Sequence, residues 1–294
     1  MKGILNILKP PGMTSHDVVA LVRKKTGIKK VGHTGTLDPN AAGVLPICIG
    51  QATKISQFLL DSHKAYRAEL TLGIETDTQD SYGTVINEKK VMVSQEEIER
   101  VILSFVGECQ QIPPMYSALK VKGMKLYQLA RQGVEIKRDA RKIEIYEIHI
   151  ITIKGNQVLF DVVCSKGTYI RTLCHDIGQQ LGCGGMMSFL IRTKTGDFDI
   201  SSSITLEELA VEKDIGKFLK PLDFPLGHMP RVDLDSIHKK AALNGNKIYL
   251  EKSYQSIPIE TEARLYIEND FIGIGKIIKE QDKKEYIRFS RLFT

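Results

Sequence analysis

The sequence predicts an α+β protein, in which helices pack on a largely antiparallel sheet and a small β-barrel follows near the C-terminus. Segments with helical periodicity are interspersed with runs of alternating hydrophobicity. Successive strand-like runs are joined by hairpins and short links, which favours antiparallel pairing. Prolines punctuate a linker at 221–230, and the short strand-like runs after it predict the barrel within residues 230–294.

The predicted helices have recognisable ends. Thr14 or Ser15 can cap the first helix, and Gly27 ends it. A capping-box pattern at Ser94 begins another helix, and Gly107 closes it. The remaining helices are predicted at 52–60, 169–181 and 205–212.

The predicted strands alternate in hydrophobicity or form short apolar runs between turn residues. Residues Lys64–Leu72 alternate strictly, which places Tyr66 and Leu70 on the same face. Gly155 and Asn156 separate two such runs and predict a hairpin. The strands other than Lys64–Leu72 are predicted at 44–49, 142–153, 157–164, 187–198, 263–268, 271–279 and 284–293.

Composition indicates a soluble globular protein. The chain has 294 residues, of which 42% are hydrophobic and 26% charged, and this length predicts about two domains. No apolar run is long enough to span a membrane, and the N-terminal apolar run is too short for a signal peptide. The five cysteines form no CxxC pair, so reduced thiols are expected rather than disulfides or a zinc site. Together these features predict a cytoplasmic protein.

Positive charge is concentrated in one part of the chain, which we call the basic segment (residues 113–142). It contains eight basic and two acidic side chains, an excess that equals the net charge of +6 of the whole chain. Such a block is expected of a protein that binds a polyanion, although a solvated charged hairpin has the same composition. The basic residues are Lys120, Lys122, Lys125, Arg131, Lys137, Arg138, Arg141 and Lys142.

One acidic residue, Asp38, lies in a glycine-rich turn between two apolar runs, in the sequence Gly32-His33-Thr34-Gly35-Thr36-Leu37-Asp38-Pro39. Proline after it biases the backbone toward extended or turn geometry, and the glycines permit close approach of another molecule. The carboxylate is therefore either a turn residue or a reactive group that faces a ligand. Asp-Pro is a common turn dipeptide, so the loop alone does not decide between them.

Five ordered segments together resemble the bacterial tRNA pseudouridine-55 synthase family. The loop of Asp38 resembles the catalytic motif of this family, and the other segments follow the family order over residues 1–200. These other segments are Leu8-Lys9-Pro10-Pro11-Gly12-Met13-Thr14-Ser15, Lys64-Ala65-Tyr66-Arg67, Pro113-Pro114-Met115-Tyr116-Ser117-Ala118-Leu119-Lys120 and Cys164-Ser165-Lys166-Gly167-Thr168-Tyr169-Ile170-Arg171. The sequence Thr76-Asp77-Thr78-Gln79-Asp80 lies between the second and third of these.

The resemblance implies a fold and a reaction. The fold is the pseudouridine synthase fold, a mixed sheet with an active-site cleft, over residues 1–220, followed by a PUA-like RNA-binding domain at 230–294. The reaction is isomerisation of the uridine at position 55, in the T-arm loop of tRNA, after the base has been flipped out. No group leaves the product and nothing is oxidised, so no cofactor is expected.

The resemblance also assigns roles to individual residues. Asp38 is the implied nucleophile, Arg171 its ion-pair partner, and Tyr66 the residue that stacks on the base and assists proton removal. Whether the carboxylate attacks C6, attacks C1′ or promotes a glycal route is left open. The other implied substrate-binding residues are Lys9 and Pro10 at the pocket floor, His33 in the loop, and Tyr169 and Leu190 along the pocket. In the basic segment, Lys120, Lys122, Lys137 and Arg138 are expected to contact RNA phosphates.

No metal site is expected, because His and Cys lack ligand spacing. Asp77 and Asp80 could hold a cation, but their loop lacks the calcium-site pattern, and turn capping is the preferred interpretation. Two other functions compete: an RNA-binding protein without catalysis, and a glycosidase-like hydrolase, for which no second motif carboxylate is evident. The expected partner is the tRNA T-arm, and the protein is predicted to act as a monomer away from membranes.

Overall fold

The computed structural model describes residues 1–121, 123–250, 257–280 and 285–293. Its α-helices are α1 (Ser15–Thr26), α2 (Ser56–Leu60), α3 (Gln95–Leu103), α4 (Leu126–Ala130), α5 (Ile170–Gln180), α6 (Leu206–Val211) and α7 (Lys239–Leu243). Its strands are β1 (Gly3–Lys9), β2 (Val31–His33), β3 (Ala42–Ile49), β4 (Lys64–Leu72), β5 (Ile74–Thr76), β6 (Val85–Glu88), β7 (Gly107–Gln111), β8 (Lys120–Val121), β9 (Met124–Lys125), β10 (Arg141–Lys154), β11 (Gln157–Cys164), β12 (Gly185–Thr195), β13 (Phe198–Asp199), β14 (Arg231–Asp233), β15 (Ile248–Tyr249), β16 (Glu262–Ile267), β17 (Asp270–Lys279) and β18 (Glu285–Leu292).

The main sheet is mixed but largely antiparallel, as predicted. Its central order is β1-β3-β12-β4-β11-β10-β7, with β2 added to β3 and β13 to β12. In the described part of the chain, β3 and β12 form the parallel pair of this sheet, and its other strand pairs are antiparallel. The parallel pair lies next to β4, so strands from distant parts of the sequence meet at the centre of the sheet.

Local sequence signals account for most element boundaries. Thr14 and Asp17 form a capping box at the start of α1, and Gly27 ends it in a left-handed conformation with φ of 70°. Strand β4 and the β10–β11 hairpin lie where the alternation predicts them. The strand predicted at 187–198 is interrupted, because a turn at Gly196 folds β13 back onto β12.

Two predicted helices are shorter or less regular than expected. Residues 52–60 divide into a 3-10 turn, Gly50–Lys54, and the short helix α2. Helix α3 ends at Leu103 rather than near Gly107, and the chain leaves it through tighter turns in which the Phe105 amide donates to the Ile102 carbonyl at 3.2 Å. Gly107 instead begins strand β7 with a φ of 110°.

The helices cover the main sheet on both faces. Helices α3 and α5 pack on one face, around Leu70, Phe160 and Ile177. Helix α1 packs on the other, around Val18 and Leu45. Within the described ranges, no helix is both long and apolar enough to cross a membrane.

The C-terminal residues form a separate curved sheet of five strands, in the order β14-β16-β17-β18-β15. This half-barrel corresponds to the predicted PUA-like structure, although the outer strands β14 and β15 are not paired with each other in the described residues. Phe271 and Phe293 of this sheet stack at 5.3 Å between ring centroids. They join Phe198 and Phe224 in one apolar cluster, so the second sheet packs directly on the first unit.

Candidate active site

The loop between β2 and β3 carries Asp38, and hydrogen bonds from Ser15 and Lys9 hold the residues on either side of it. The Ser15 hydroxyl accepts a hydrogen bond from the Leu37 amide at 2.9 Å and bonds the Leu37 carbonyl at 3.2 Å. The Lys9 ammonium donates to the Pro39 carbonyl at 2.9 Å. Contacts on both sides of Asp38 therefore restrict its backbone, while 40% of its side chain remains exposed.

Lys9 is a fully buried cation at the end of β1. Its ammonium also donates to the carbonyls of Pro10, at 2.8 Å, and Met13, at 2.7 Å. Burial lowers the pKa of Lys9 to about 8, and the Asp38 carboxylate partly opposes this shift. Lys9 thus joins the segment of residues 10–13 to the Asp38 loop, and the Pro10 carbonyl is one of the three oxygens that it binds.

Arg171, in the first turn of α5, forms a two-pronged ion pair with Asp38. Its Nε lies 2.9 Å from Asp38 Oδ2, and its NH2 donates to Oδ1 at 3.3 Å. Only 5% of the Arg171 side chain is exposed. The remaining guanidinium contacts are with the Thr78 carbonyl at 3.0 Å, the Tyr116 carbonyl at 2.7 Å and Asp80 Oδ2 at 3.6 Å. A single arginine therefore connects the Asp38 loop, the Thr78–Asp80 turn and the start of the basic segment.

Opposing effects act on the Asp38 carboxylate. Burial in the cleft raises its pKa, and the nearby Asp80 carboxylate raises it further. The Arg171 guanidinium opposes both effects by its charge and hydrogen bonding, and Lys9 opposes them by its charge. The result is a carboxylate whose pKa lies above its ordinary value of 3.8 and whose side chain is 40% exposed.

Tyr66 and Leu190 lie beside this pair on neighbouring strands. In the β4–β12 ladder Tyr66 is opposite Arg192, and Ala68 is opposite Leu190, so these side chains share one face. Tyr66 packs on the cluster that contains Leu37 and Leu190. Burial raises the pKa of the Tyr66 hydroxyl, and the Arg192 guanidinium opposes that shift.

Tyr169 caps the start of α5, two residues before Arg171. Its backbone amide donates to Gln111 Oε1 at 2.8 Å, and its carbonyl accepts from Gln111 Nε2 at 3.0 Å. This pair of bonds fixes the entry of α5 and hence the direction of Arg171. The Tyr169 ring is half-buried, and this burial raises the pKa of its hydroxyl.

His33 ends β2 at the base of the Asp38 loop. Burial and the Arg192 charge lower the pKa of its imidazole, so the neutral ring is favoured. Its buried Nδ1 has no hydrogen-bond partner among the described residues. The ring is therefore held by packing rather than by polar contacts.

In the described part of the chain, none of Lys120, Lys137 and Arg138 forms an ion pair or hydrogen bond with Asp38. Lys120, on β8, and Lys137 are exposed, whereas Lys122 lies outside the described residues. The Arg138 side chain is only 20% exposed, and its guanidinium donates to Glu135 at 3.1 Å. Part of its charge is thus already compensated within the protein.

Two residues of the site were not assigned a role there from sequence. Asp80 caps its turn, as predicted, by accepting from the Thr78 hydroxyl at 2.7 Å and the Tyr82 amide at 3.0 Å, but its other oxygen faces Arg171. Nothing in the sequence distinguishes Arg192 from other charged residues in strands, except its spacing from Leu190. Residues two apart in a strand face the same side of the sheet, so Arg192 is predicted to share the face of Leu190. Within the described ranges, no group of three or more His, Cys, Asp or Glu residues is placed to hold a metal ion.

Comparisons with known proteins identify the family. The family described as "TruB family pseudouridylate synthase (N terminal domain)" matches residues 23–170, and "tRNA pseudouridylate synthase B C-terminal domain" matches residues 171–226. A protein of Alkaliphilus oremlandii named tRNA pseudouridine synthase B is 59% identical over 294 residues, which cover 99% of this chain and 98% of that protein. This chain belongs to the TruB family of pseudouridylate synthases. The family resemblance predicted from the sequence is thereby confirmed.

Other relatives and solved structures agree with this membership. A Clostridium tetani protein of the same name is 48% identical and covers 95% of this chain and 97% of its own length. Among solved structures, a chain of the "Crystal Structure of a Cbf5-Nop10-Gar1 Complex" superposes with a TM-score of 0.74 at 30% identity, covering 99% of this chain and 85% of that one. The predicted fold, a pseudouridine synthase sheet with a PUA-like C-terminal sheet, is therefore confirmed.

Proposed function

We propose that this TruB family member isomerises uridine to pseudouridine at position 55, in the T-arm loop of tRNA. The observation that carries the proposal is the Asp38–Arg171 ion pair, in which a buried guanidinium holds a carboxylate that is 40% exposed, next to the cluster that contains Leu37 and Leu190 and packs against Tyr66. The names of the relatives, tRNA pseudouridine synthase B, support tRNA as the substrate.

Asp38 is the proposed nucleophile. A carboxylate can add to an electrophilic carbon and later leave, which isomerisation of a nucleoside requires. Addition at C6, addition at C1′ and the glycal route all use the ionised form of Asp38. The Arg171 guanidinium favours that form and also fixes both carboxylate oxygens.

Tyr66, Tyr169 and Leu190 form the proposed base pocket. The uracil must leave the RNA stack to reach Asp38, and stacking on the Tyr66 ring offsets part of that cost of a few kcal/mol. His33, at the loop base, is proposed to occupy the space that the extruded nucleotide leaves. After C5 has bonded to C1′, the C5–H bond breaks, its electron pair returns to the ring, and the Tyr66 oxygen assists removal of the proton.

RNA binding is proposed to involve parts of the chain remote from the reacting base. Lys120, Lys122, Lys137 and Arg138 would neutralise phosphates, with Arg138 contributing least because Glu135 already binds it. We further propose that residues 1–220 form the catalytic domain and residues 230–294 the RNA-binding domain, in a protein that acts as a monomer.

The test is incubation with an unmodified tRNA transcript, followed by nucleoside analysis and mapping of the modified position. Pseudouridine at position 55 is expected, with loss of more than about a hundredfold in turnover for Asp38→Asn. Asp161→Asn is a matched control, because Asp161 forms an exposed ion pair with Arg67 on the same sheet. RNA binding by Asp38→Asn should be largely retained.

The two competing functions give different products in the same assay. A hydrolase would release free uracil and leave an abasic site. An RNA-binding protein without catalysis would bind the transcript and leave every uridine unchanged. A modified nucleoside at another position would retain the chemistry but exclude the proposed position 55.

A further inference from the structure

Arg192 is a buried cation whose position the family assignment does not explain. It lies on β12, and only 1% of the residue is exposed. Its Nε donates to the Val44 carbonyl at 2.8 Å, and its NH2 donates to the Gly35 carbonyl at 3.1 Å. In the described part of the chain no carboxylate forms an ion pair with Arg192, and the charged groups nearest to it in the site include Lys9 and Lys64, which are also cations.

A buried charge without a counter-ion is costly, even when its hydrogen bonds are satisfied. Bonds to the Val44 and Gly35 carbonyls can be made by a neutral donor at lower cost. These two bonds therefore do not explain why a cation, rather than a neutral donor, lies here. Arg192 is the direct cross-strand partner of Tyr66 in the β4–β12 ladder, so the two side chains are neighbours on the same face of the sheet.

We infer that Arg192 is a positioning residue for the proposed isomerisation, which holds the Tyr66 hydroxyl at the cleft and stabilises the negative charge that forms on its oxygen. This inference rests on the proposed function of Tyr66. The Tyr66 oxygen is a better proton acceptor as the phenolate, and a fixed cation beside it increases the population of that form. Arg192 itself is too deeply buried to meet the substrate.

The charges around Tyr66 come from several elements, and their effects have opposite signs. Burial, Cys164 on β11 and the Asp38 carboxylate all raise the pKa of the Tyr66 hydroxyl. Arg192 on β12 lowers it by its charge and by hydrogen bonding. Removal of the Arg192 charge should therefore leave only effects that favour the neutral phenol.

The experiment measures the Tyr66 hydroxyl directly, without RNA. The protein is labelled with ¹³Cζ-tyrosine, and the Tyr66 resonance is assigned by its absence in Tyr66→Phe. In Arg192→Met the titration midpoint of this resonance should move up by about one pH unit or more. Arg67→Met is the matched control, because Arg67 is adjacent to Tyr66 on β4 but pairs with Asp161 at the surface. It should leave the midpoint in place.

The second measurement is the single-turnover rate on tRNA in two backgrounds, the wild type and Tyr66→Phe. Arg192→Met should slow the reaction about tenfold or more in the wild-type background, and less than about threefold in the Tyr66→Phe background. If Arg192→Met does not fold, as judged by thermal melting, Arg192→Lys replaces it. Lys keeps the charge but lacks the planar fork, so it should retain part of the rate and show the same dependence on the Tyr66 hydroxyl.

Two outcomes would overturn the inference. An unmoved Tyr66 midpoint would show that the guanidinium does not act on the hydroxyl. Equal rate reductions in the wild-type and Tyr66→Phe backgrounds would leave Arg192 only the structural role of holding the Gly35 and Val44 carbonyls. Failure of the proposed function is distinguishable, because the wild-type protein would then lack turnover while the tyrosine titration still reports on Arg192.

Discussion

At the scale of single residues, the geometry of the candidate site depends on the hydrogen bonds and ion pairs that the Arg171 guanidinium makes. Each of its guanidinium nitrogens faces an oxygen, from Asp38, Asp80 or a backbone carbonyl. A lysine has one compact charge and no planar fork, so it cannot reproduce this set. The arrangement keeps Asp38 oriented while 40% of its side chain remains exposed.

The pH dependence of the reaction should show the influence of Asp80 on Asp38. Because the ionised carboxylate is the proposed nucleophile, kcat/KM should fall as pH decreases through the raised pKa of Asp38. Asp80→Asn removes a like charge that raises this pKa, so the acidic midpoint should move down. Release of tritium from C5-labelled uridine in tRNA measures the rate.

Asp77→Asn is the control for this prediction. Asp77 lies in the same turn and accepts from the Thr84 amide at 2.8 Å, whereas Arg171 pairs with Asp38 and Asp80. The acidic midpoint of the kcat/KM profile of Asp77→Asn should equal that of the wild type. An upward shift in Asp80→Asn would mean that loosening of Arg171 outweighs the loss of the Asp80 charge.

At the scale of elements, the close approach of β3 and β12 depends on a glycine. Gly43 is opposite Arg192 in the parallel ladder and has a φ of 119°. A Cβ built on Gly43 would lie 2.2 Å from the Arg192 carbonyl oxygen, which is far shorter than a van der Waals separation. Only glycine therefore lets the Asp38 loop and its strand lie directly against β12.

Gly43→Ala should destabilise the protein more than Gly107→Ala does. Gly107 has a similar φ of 110°, but nothing lies within 4 Å of a Cβ built there. Both variants carry the backbone strain of a left-handed residue, and Gly43→Ala adds a clash that we expect to cost about 1–3 kcal/mol more. Urea unfolding measures the difference. Equal costs would show that β3 and β12 can separate without penalty.

The basic segment should determine how RNA affinity depends on salt. Replacing the exposed Lys120 and Lys137 with alanine should weaken tRNA binding. The slope of log affinity against log salt concentration should become less steep, by about 0.7–0.9 for each phosphate that is no longer neutralised. Lys142→Ala is the control, since Lys142 already pairs with Glu108 at 2.6 Å. The maximal rate at saturating tRNA should change little, because these residues are proposed to bind phosphates and not the reacting uridine. An unchanged slope would indicate a merely solvated charged segment.

At the scale of the whole molecule, the two sheets share an apolar core. Phe293 and Ile274 of the C-terminal sheet are buried with Ile4 and Val44 of the main sheet. Lys54 also donates to the Leu292 carbonyl at 2.8 Å across this junction. Because the junction is a packed core rather than a linker, we expect the two sheets to unfold together.

Phe293→Ala should therefore destabilise the whole protein and not only its C-terminal sheet. Phe293 is 1% exposed, and removal of its ring should cost about 3–5 kcal/mol in the free energy of unfolding. Ile237→Ala, at a residue 70% exposed in the same C-terminal part, should cost less than about 0.5 kcal/mol. Protease susceptibility of both parts, followed in urea, checks the prediction. Two separate transitions in the wild type would contradict it.

The sequence by itself determined the local features and the family. Helix ends at Thr14 and Gly27, the alternation of β4 and the β10–β11 hairpin follow from short-range preferences of the backbone and from hydrophobic periodicity. The family resemblance follows from ordered motifs. The roles that this resemblance implies for Asp38, Arg171 and Tyr66 stay predictions until the variants are measured.

Only the tertiary structure decided which charges meet. Asp80 faces Arg171 from a turn that is distant in sequence, and Arg192 lies opposite Tyr66 because β12 pairs with β4. The same structure removes part of the Arg138 charge from solvent by pairing it with Glu135. Electrostatic interaction depends on distance and burial in space, and a linear sequence specifies neither until long-range strand pairing has brought the groups together.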